Sequence, residues 1–235
     1  MKNQYVGDIG DYGKYALLRS FIKANVRVGV NWYLTESDTS TDGKITGYLK
    51  KGEMRQFDPP LFDTLTGIAF HLDKSVADIR NSGILGDTVF FDEEMLFTGK
   101  PLERESQRKV WFDRSKDALS LPELIFMDPD NGLLVSGKTT RRGAEKYVLP
   151  EEVESYFRMG KNVVYYCHKG RRKEEAWKDY KDFMFNRIPE AKSIILTYHK
   201  GTQRSYVFLV HEADYARYRM IIDEFRVKWR EIFTE

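Results

Sequence analysis

The chain has 235 residues, of which 41% are apolar and 14% aromatic, enough to build a full hydrophobic core in one large domain. Its 38 Lys and Arg residues nearly balance its 36 Asp and Glu residues, so a net charge of +2 neither requires nor excludes a nucleic-acid partner. A single cysteine, Cys167, excludes a disulfide framework and a cysteine-based zinc site. No apolar run approaches the roughly 20 residues that span a bilayer, and the N-terminus lacks the apolar segment of a signal peptide. We therefore expect a soluble, cytoplasmic protein without a membrane partner.

The first part of the chain is predicted to alternate helices and strands around a long polar segment. Apolar residues recur at helical spacing just after the N-terminus, and a Val-rich alternating run follows as the first strand. A polar insertion comes next, and two prolines then open a further helix. The predicted elements are helix 12–24, strand 26–34, insertion 35–60 with a short helix at 45–49, helices 61–70 and 74–82, and strand 88–91.

The second part of the chain continues the same alternation and ends with two adjacent strands. These elements are helix 103–119, strand 124–127, a basic loop at 136–145, helix 150–159, strand 162–167, helix 173–186, strands 193–198 and 205–211, and helix 213–233. Strands separated by helices indicate βαβ units, and the short connection at 201–204 indicates an antiparallel hairpin. The pattern predicts an α/β fold with a mostly parallel sheet and a terminal antiparallel hairpin. Without a repeat or a linker, we expect a single domain over residues 1–235.

The most informative segment is the apolar run at 124–127, which stops abruptly at Asp-Pro-Asp-Asn-Gly in residues 128–132. Ligands of parallel sheets bind at the carboxyl ends of the strands, and the proline and the Asn-Gly pair favour a stiff turn. His168 follows the strand at 162–167 in a similar position. An ordinary polar turn and a structural histidine are the alternative interpretation. The predicted catalytic residues are Asp128, Asp130, Asn131 and His168.

A loop rich in glycine and aspartate, GDIGDYGKY, precedes the first predicted helix. Such a loop lets its backbone approach a ligand, although helix capping by Asp8 or Asp11 is the simpler alternative. Further polar residues follow the first predicted strand, where a ligand crevice would open. The predicted cofactor-binding residues are Asp8, Asp11, Lys14, Asn31 and Asp42.

Two basic segments follow the predicted strands at 124–127 and 162–167. If they lie together at the ligand edge of the sheet, they attract a phosphate backbone irrespective of its sequence. The alternative is a solvated surface whose charge is balanced by nearby glutamates. The predicted nucleic-acid contacts are Lys138, Arg141, Arg142, Lys169, Arg171 and Arg172.

In the order of these motifs the chain resembles the bacterial ribosomal-RNA adenine-N6 methyltransferases with an N-terminal motif X. Asp11 and Lys14 match the Asp-Val-Leu-Lys pattern of that family, and Asp128-Pro129 matches the start of its Asp-Pro-Pro-Tyr motif. The resemblance implies a three-layer Rossmann-like methyltransferase-type fold, in which a reversed strand ends the parallel sheet. It also implies S-adenosylmethionine as cofactor and an exocyclic amine of a base as acceptor, with Asp128 accepting hydrogen bonds from that amine.

The chain departs from this family at two positions. Asn-Trp-Tyr at residues 31–33 stands in place of a glycine-rich loop, and Asp130-Asn131 stands in place of Pro-Tyr. The aromatic residue that stacks on a target base would then come from elsewhere, for example Tyr165, Tyr166 or Trp32.

Three functions remain open from the sequence. The first is methyl transfer from S-adenosylmethionine to a nucleic-acid base or a related acceptor. The second is metal-dependent hydrolysis of a phosphodiester or a nucleotide, with Mg²⁺ held by Asp128 and Asp130 together with Asp8, Asp11 or Asp92. The third is non-catalytic binding of nucleic acid or a nucleotide on a degenerate methyltransferase-like scaffold.

Overall fold

The protein is described by a computed structural model that covers residues 1–38 and 45–235. Its central sheet has seven strands in the order β2-β1-β3-β6-β8-β7-β9. Neighbouring strands β2, β1, β3 and β6 are parallel, whereas β8 runs antiparallel to β6 and β7, and β9 antiparallel to β7. The strands are β1 Val28–Asn31, β2 Val89–Phe91, β3 Leu124–Met127, β6 Asn162–His168, β7 Lys192–Tyr198, β8 Arg204–Val210 and β9 Phe233–Thr234. Strands β4 Gly132–Leu133 and β5 Tyr147–Val148 form a small parallel pair of their own.

Helices cover both faces of the central sheet. Residues of α1, α3 and α8 share one core with Leu124 and Phe126 of β3, while residues of α5, α6 and α7 share a second core with Ile125 and Met127. The helices are α1 Ile9–Lys23, α2 Tyr48–Lys51, α3 Pro59–Ala69, α4 Val76–Asn81, α5 Pro101–Ala118, α6 Pro150–Arg158, α7 Glu174–Arg187 and α8 Glu212–Trp229. Because side chains alternate along a strand, each buried strand feeds both cores, which explains why these strands read as continuous apolar runs.

The structure confirms the predicted mixed α/β architecture with a mostly parallel sheet and flanking helices, compatible with a Rossmann-like fold. It also confirms the antiparallel pairing of the two strands near the C-terminus. Among the residues that the structure describes, no helix has the length and apolar character needed to cross a membrane.

The prediction for the C-terminus was wrong in one respect. The helix predicted over 213–233 ends at Trp229, and the chain turns so that Phe233 and Thr234 pair with Tyr198 and Thr197 of β7. The ring of Phe233 lies 4.8 Å from that of Tyr198 and is almost fully buried. This burial across the sheet outweighs the helical preference of the preceding residues, and local spacing carries no sign of it.

Candidate functional site

A cavity of about 360 Å³ lies at the edge of the sheet where β3 and β6 end and β8 begins. Most of its lining comes from the start of α1, the turn at 128–131 after β3, and the facing ends of β6 and β8, and Met1, Tyr5 and Ile45 complete it. Since β8 runs opposite to β6, its first residues meet the last residues of β6 at this edge. This is the edge at which parallel sheets bind their ligands.

Lys14 joins the start of α1 to the turn after β3. Its ammonium group lies 2.7 Å from Oδ2 of Asp128 and 2.6 Å from Oδ1 of Asp11, and all three side chains are buried. Burial by itself would lower the pKa of Lys14, but the carboxylates of Asp11 and Asp128 outweigh it and hold that pKa well above its ordinary value. Lys14 is therefore a cation at neutral pH in the lining of the cavity.

The surroundings of Asp11 disfavour the ionised form of its carboxyl group. Burial raises its pKa, and the negative charges of Asp128 and Asp8 raise it further against the attraction of Lys14. The Oδ2 atom of Asp11 also accepts a hydrogen bond from the backbone N–H of Gly7. One ammonium group thus serves two buried carboxylates, and the cavity holds more acidic than basic side chains.

The turn after β3 is held rigidly from outside the cavity. The N–H of Asn131 donates to the carbonyl of Lys146, and the hydroxyl of Tyr180 donates to the carbonyl of Leu133. Gly132 has φ +102°, and a Cβ at this position would lie 2.6 Å from the hydroxyl oxygen of Tyr180, so glycine is required. The Asn-Gly pair is therefore explained by the shape of the turn, independently of its position beside the cavity.

Asp130 points its carboxylate away from bulk solvent, with a side chain that is 4% exposed. Its Oδ1 lies 2.6 Å from the α-amino group of Met1, which also donates to the carbonyls of Tyr33 and Asp128. Its Oδ2 is buried and has no hydrogen-bond partner among the residues that the structure describes.

Asp8 caps α1 and faces Arg204, the first residue of β8. Its Oδ1 accepts a hydrogen bond from the N–H of Gly10 at 2.8 Å and lies 3.7 Å from Nη1 of Arg204. A Cβ on Gly10 would lie 1.3 Å from that Nη1, so the glycine leaves room for the guanidinium. The guanidinium lies about as far as cation–π contacts reach from the rings of Tyr166 and Tyr198, at 6.0 and 5.9 Å.

The cavity brings together most of the residues that the sequence singled out. These are Asp8, Asp11, Lys14, Asp128, Asp130, Asn131 and His168. The spacing of motifs along the chain could not show that they meet, because the two main segments are more than a hundred residues apart.

Asn31 lies outside this cavity. Its side chain is fully buried, where it accepts the N–H of Tyr33 and donates to the hydroxyl of Tyr156. Val28 and Val30 of the same strand face the α1 side, so alternation turns Asn31 to the opposite face. Asp42, the remaining predicted cofactor residue, lies outside the described residues.

Sequence reasoning missed several residues of the cavity, among them Arg204 and Tyr206. They are two apart at the start of β8, so they share a face of the strand, but this alternation is common to every strand and does not by itself mark them as site residues. Of the three aromatic residues considered for base stacking, Tyr166 lines the cavity. Tyr165 and Trp32 are fully buried elsewhere, and Trp32 stacks on Phe90.

The predicted basic residues lie outside the lining of the cavity. Lys138, Arg141, Arg142 and Arg171 are exposed, whereas Lys169 is half-buried and pairs with Glu174. Arg172 is half-buried too, with its guanidinium 4.0 Å from the centre of the Tyr180 ring. Their role in binding nucleic acid stays a prediction.

The described residues contain no group of three or more His, Cys, Asp or Glu side chains arranged to hold a metal ion. Asp128 binds Lys14, Asp130 contacts an amino group, and Asp92 pairs with Arg80 on the surface. The carboxylates considered for Mg²⁺ are thus engaged by cations of the protein itself.

Comparison with known proteins adds no family to this description. No family model matches the chain, and no curated protein matches it significantly. The function of the chain is therefore inferred from its cavity and its fold.

Proposed function

We propose that this chain is an S-adenosylmethionine-dependent methyltransferase-like protein that acts on a nucleic-acid base or a related amine acceptor. The observation that carries the proposal is the convergence of two motifs on one cavity. The loop of Asp8, Asp11 and Lys14 and the turn at 128–131 meet through the Lys14–Asp128 ion pair. These are the two segments on which the resemblance to adenine-N6 methyltransferases rests.

The order of the strands supports the same proposal. Strand β8 is reversed and lies between the parallel strands β6 and β7. Class I methyltransferase-like folds carry such a reversed strand at the end of a parallel sheet, whereas plain dinucleotide-binding folds do not. The topology therefore favours a methyltransferase-type sheet over other Rossmann-like sheets.

The charges in the cavity fit the proposed cofactor. S-adenosylmethionine carries a sulfonium and an ammonium against one carboxylate, and it supplies an electrophilic methyl group when bound. The lining offers the carboxylates of Asp8, Asp11, Asp128 and Asp130 against three cationic groups, on Lys14, Arg204 and the N-terminus of Met1. A cavity with an excess of buried carboxylates favours a ligand with a net positive charge.

The residues that line the cavity have separate roles in this proposal. Asp128, whose Oδ2 lies 2.7 Å from the ammonium group of Lys14, accepts hydrogen bonds from the amine of the acceptor and orients its lone pair. Tyr166 supplies an aromatic ring at the wall of the cavity for the face of a base. Asn131 adds an amide that both donates and accepts hydrogen bonds.

Calorimetric titration of the whole chain with S-adenosylmethionine and with its demethylated product tests the proposal. We expect both to bind, and we expect Asp128→Asn to keep the binding while methylation of RNA or DNA bases falls by at least about a hundredfold. Asp117→Asn, which changes an exposed carboxylate on α5, is the matched control and should leave both unchanged. If S-adenosylmethionine does not bind at millimolar concentration, the proposal is wrong.

A non-catalytic binder is the second candidate, and the end of β1 favours it. Trp32 and Tyr33 are fully buried there, and the Tyr33 hydroxyl donates to Glu152 at 2.9 Å. These aromatic rings fill the place where a glycine-rich loop would let a cofactor approach the backbone. Binding of a nucleotide or nucleic acid without binding of S-adenosylmethionine would favour this second candidate.

The hydrolase has the least support from the geometry. For Mg²⁺ to reach Asp128 and Asp130, it must displace the ammonium groups of Lys14 and Met1, which lie within 2.7 Å of those carboxylates. Desolvating the ion and breaking two buried ion pairs are both costly.

A further inference from the structure

Two buried arginines of α5 hold the basic loop at residues 136–145, which lies between β4 and β5. Nε of Arg104 donates a hydrogen bond to the carbonyl of Thr140 at 2.7 Å. One turn further along the helix, Nη1 of Arg108 donates to the carbonyl of Ala144 at 3.0 Å. The two arginines are 8% and 4% exposed. The backbone of a segment with little secondary structure of its own is therefore fixed at its centre and near its end.

The loop is also connected to the core and to the cavity. Nε of Arg108 lies 2.7 Å from Oε1 of Glu152, and both side chains are buried. Just after the loop, the carbonyl of Lys146 accepts a hydrogen bond from the N–H of Asn131, a residue that lines the cavity. The loop is thus anchored to the core by an ion pair and to the turn after β3 by a backbone hydrogen bond.

The cations of this loop are not balanced by acidic partners. Lys138, Arg141 and Arg142 are exposed, and in the described part of the chain they form no salt bridge. Arg104 beneath them is buried and forms no salt bridge there either. Glu145 is the one acidic residue in the sequence of the loop. A phosphate backbone fits such a surface, because it presents a row of negative charges to which arginine donates in a fixed geometry.

The second predicted basic segment, which follows β6, differs in this respect. Lys169 pairs with Glu174, and Nη1 of Arg172 donates to the carbonyls of His168 and Lys169. Arg171 is exposed. Two of its three predicted contacts are therefore engaged within the protein, and a phosphate would have to compete with these partners.

We infer that the basic loop at 136–145 is a preformed docking surface for the phosphate backbone of a nucleic acid, and that Arg104 and Arg108 position it. The inference rests on the proposed function for the class of ligand, whereas the fixed backbone and the unbalanced charge of the loop are independent of any cofactor. Because the loop is already ordered, binding does not bear the entropic cost of ordering it. A strand docked on this loop lies beside the turn that lines the cavity.

Fluorescence anisotropy of the whole chain with a labelled single-stranded RNA of about 20 nucleotides, and with DNA of the same sequence, tests the docking surface. Arg141→Gln with Arg142→Gln should weaken binding at least about tenfold at about 0.1 M salt. It should also make the slope of log affinity against log salt less steep by about 1.4, as expected for two lost phosphate contacts on a single strand. Lys228→Gln with Arg230→Gln is the control. It removes the same charge from exposed positions at the end of α8, which covers the opposite face of the sheet, and should leave the slope unchanged.

Arg104→Lys separates the position of the loop from its charge. Lysine keeps the positive charge but lacks the planar fork that donates to the carbonyls of Thr140 and Gly99. We expect hydrogen exchange of the amides at 138–146 to become at least about tenfold faster while the amides of β8 keep their rates, and RNA affinity to fall about three- to tenfold. Arg114→Lys, at an exposed position of α5, is the control and should change none of these. Exchange that accelerates equally in β8, or not at all, would exclude the positioning role.

The outcomes separate this inference from the proposed function. Binding of RNA or DNA through the loop without binding of S-adenosylmethionine would support the inference and overturn the proposed function. Failure of both probes to bind, or an unchanged affinity in Arg141→Gln with Arg142→Gln, would overturn the inference. Tighter binding of poly-L-glutamate than of RNA would overturn it in favour of an acidic polypeptide. A larger effect of Lys169→Gln with Arg171→Gln would overturn it in favour of the segment after β6.

Discussion

Lys14 is the residue on which the two motifs of the cavity depend. Its ammonium group is the only side-chain cation within 3 Å of Asp11 and Asp128 in the described residues. A buried ion pair contributes little net stability compared with apolar residues, but the loss of one partner leaves an uncompensated charge. The position is therefore sensitive to replacement even if the cavity has no ligand.

We expect Lys14→Met, which keeps the length of the side chain, to lower the free energy of unfolding by about 3–5 kcal/mol. Lys116→Met is the control, because Lys116 pairs with Asp113 on the surface of α5, and its loss should cost about 1 kcal/mol or less. Urea unfolding measures both changes.

A double variant tests whether an unpaired buried carboxylate causes the loss of stability in Lys14→Met. In Lys14→Met combined with Asp128→Asn, one unpaired carboxylate is removed, so part of the lost stability should return. The contrary result is that Asp128→Asn lowers the free energy of unfolding by the same amount in Lys14→Met as in the unmodified protein. The two residues would then be uncoupled, and an unpaired carboxylate would not explain the effect of Lys14→Met.

Helix α1 is shaped by what it packs against, and two of its residues are glycines. Glycine costs a helix about 1 kcal/mol relative to alanine, so Gly10 and Gly13 need a reason. A Cβ on Gly13 would lie 2.6 Å from the ring of Tyr198, which is fully buried and donates its hydroxyl to the carbonyl of Ile9. The glycines let the helix approach β7 and β8 closely, and this approach brings Asp11 and Lys14 to the cavity.

Gly13→Ala and Gly67→Ala give opposite predictions for the same substitution. Gly67 is exposed in α3 and a Cβ there meets nothing within 4 Å, so Gly67→Ala should stabilise the protein by about 0.5–1 kcal/mol. Gly13→Ala should destabilise it by about 1–2 kcal/mol, because the collision with Tyr198 outweighs the helical gain. Thermal or urea unfolding measures the change in stability of both variants. A stabilised Gly13→Ala would show that α1 has room to move away from the sheet.

At the scale of the whole molecule, the tyrosines make stability depend on pH in the alkaline range. The chain has 14 tyrosines and most are buried. Burial raises the pKa of Tyr15 and of Tyr206 above the ordinary value of 10.0, and it raises the pKa of Tyr166 to about 12. The pKa of Lys14 is raised as well, because its carboxylate neighbours outweigh the effect of its burial.

All of these shifts have the same sign in their effect on folding. A group whose pKa is higher in the folded state stabilises the fold below its unfolded pKa, and this contribution is lost as the pH rises through the folded pKa. We therefore expect the free energy of unfolding to change little between about pH 7 and 9 and to fall steeply above about pH 10.

Urea unfolding across this range, together with tyrosinate absorbance, checks the expectation. Most tyrosines should ionise together with unfolding rather than before it. Ionisation of most tyrosines near pH 10 in a chain that keeps its native circular dichroism would contradict it.

The fold was largely predictable because its signals are local. The apolar run at Leu124–Met127, the helical spacing in α1 and the polar stop after β3 are all readable within short windows. The exceptions are elements that depend on distant partners. Strand β9 forms because Phe233 packs on Tyr198 and Trp229, and the pair β4–β5 joins segments on either side of a loop.

The candidate site was predictable only in part. Asp128, Asp130 and Lys14 are conspicuous in sequence because polar residues follow an apolar strand or a glycine-rich loop. Asn31 has the same local pattern, yet the alternation of β1 directs it to the opposite face of the sheet. Arg204 and Tyr206 have no local pattern that distinguishes them from other residues of an antiparallel strand.

The sequence by itself determined which segments become strands and helices, and that a rigid acidic turn ends a buried strand. Only the tertiary structure decided that Lys14 meets Asp128 across 114 residues of chain, and that Arg204 and Tyr206 close the cavity from a reversed strand. The physical reason is that periodicity records which face of an element is buried, whereas the choice of partner depends on packing between elements that are distant in sequence.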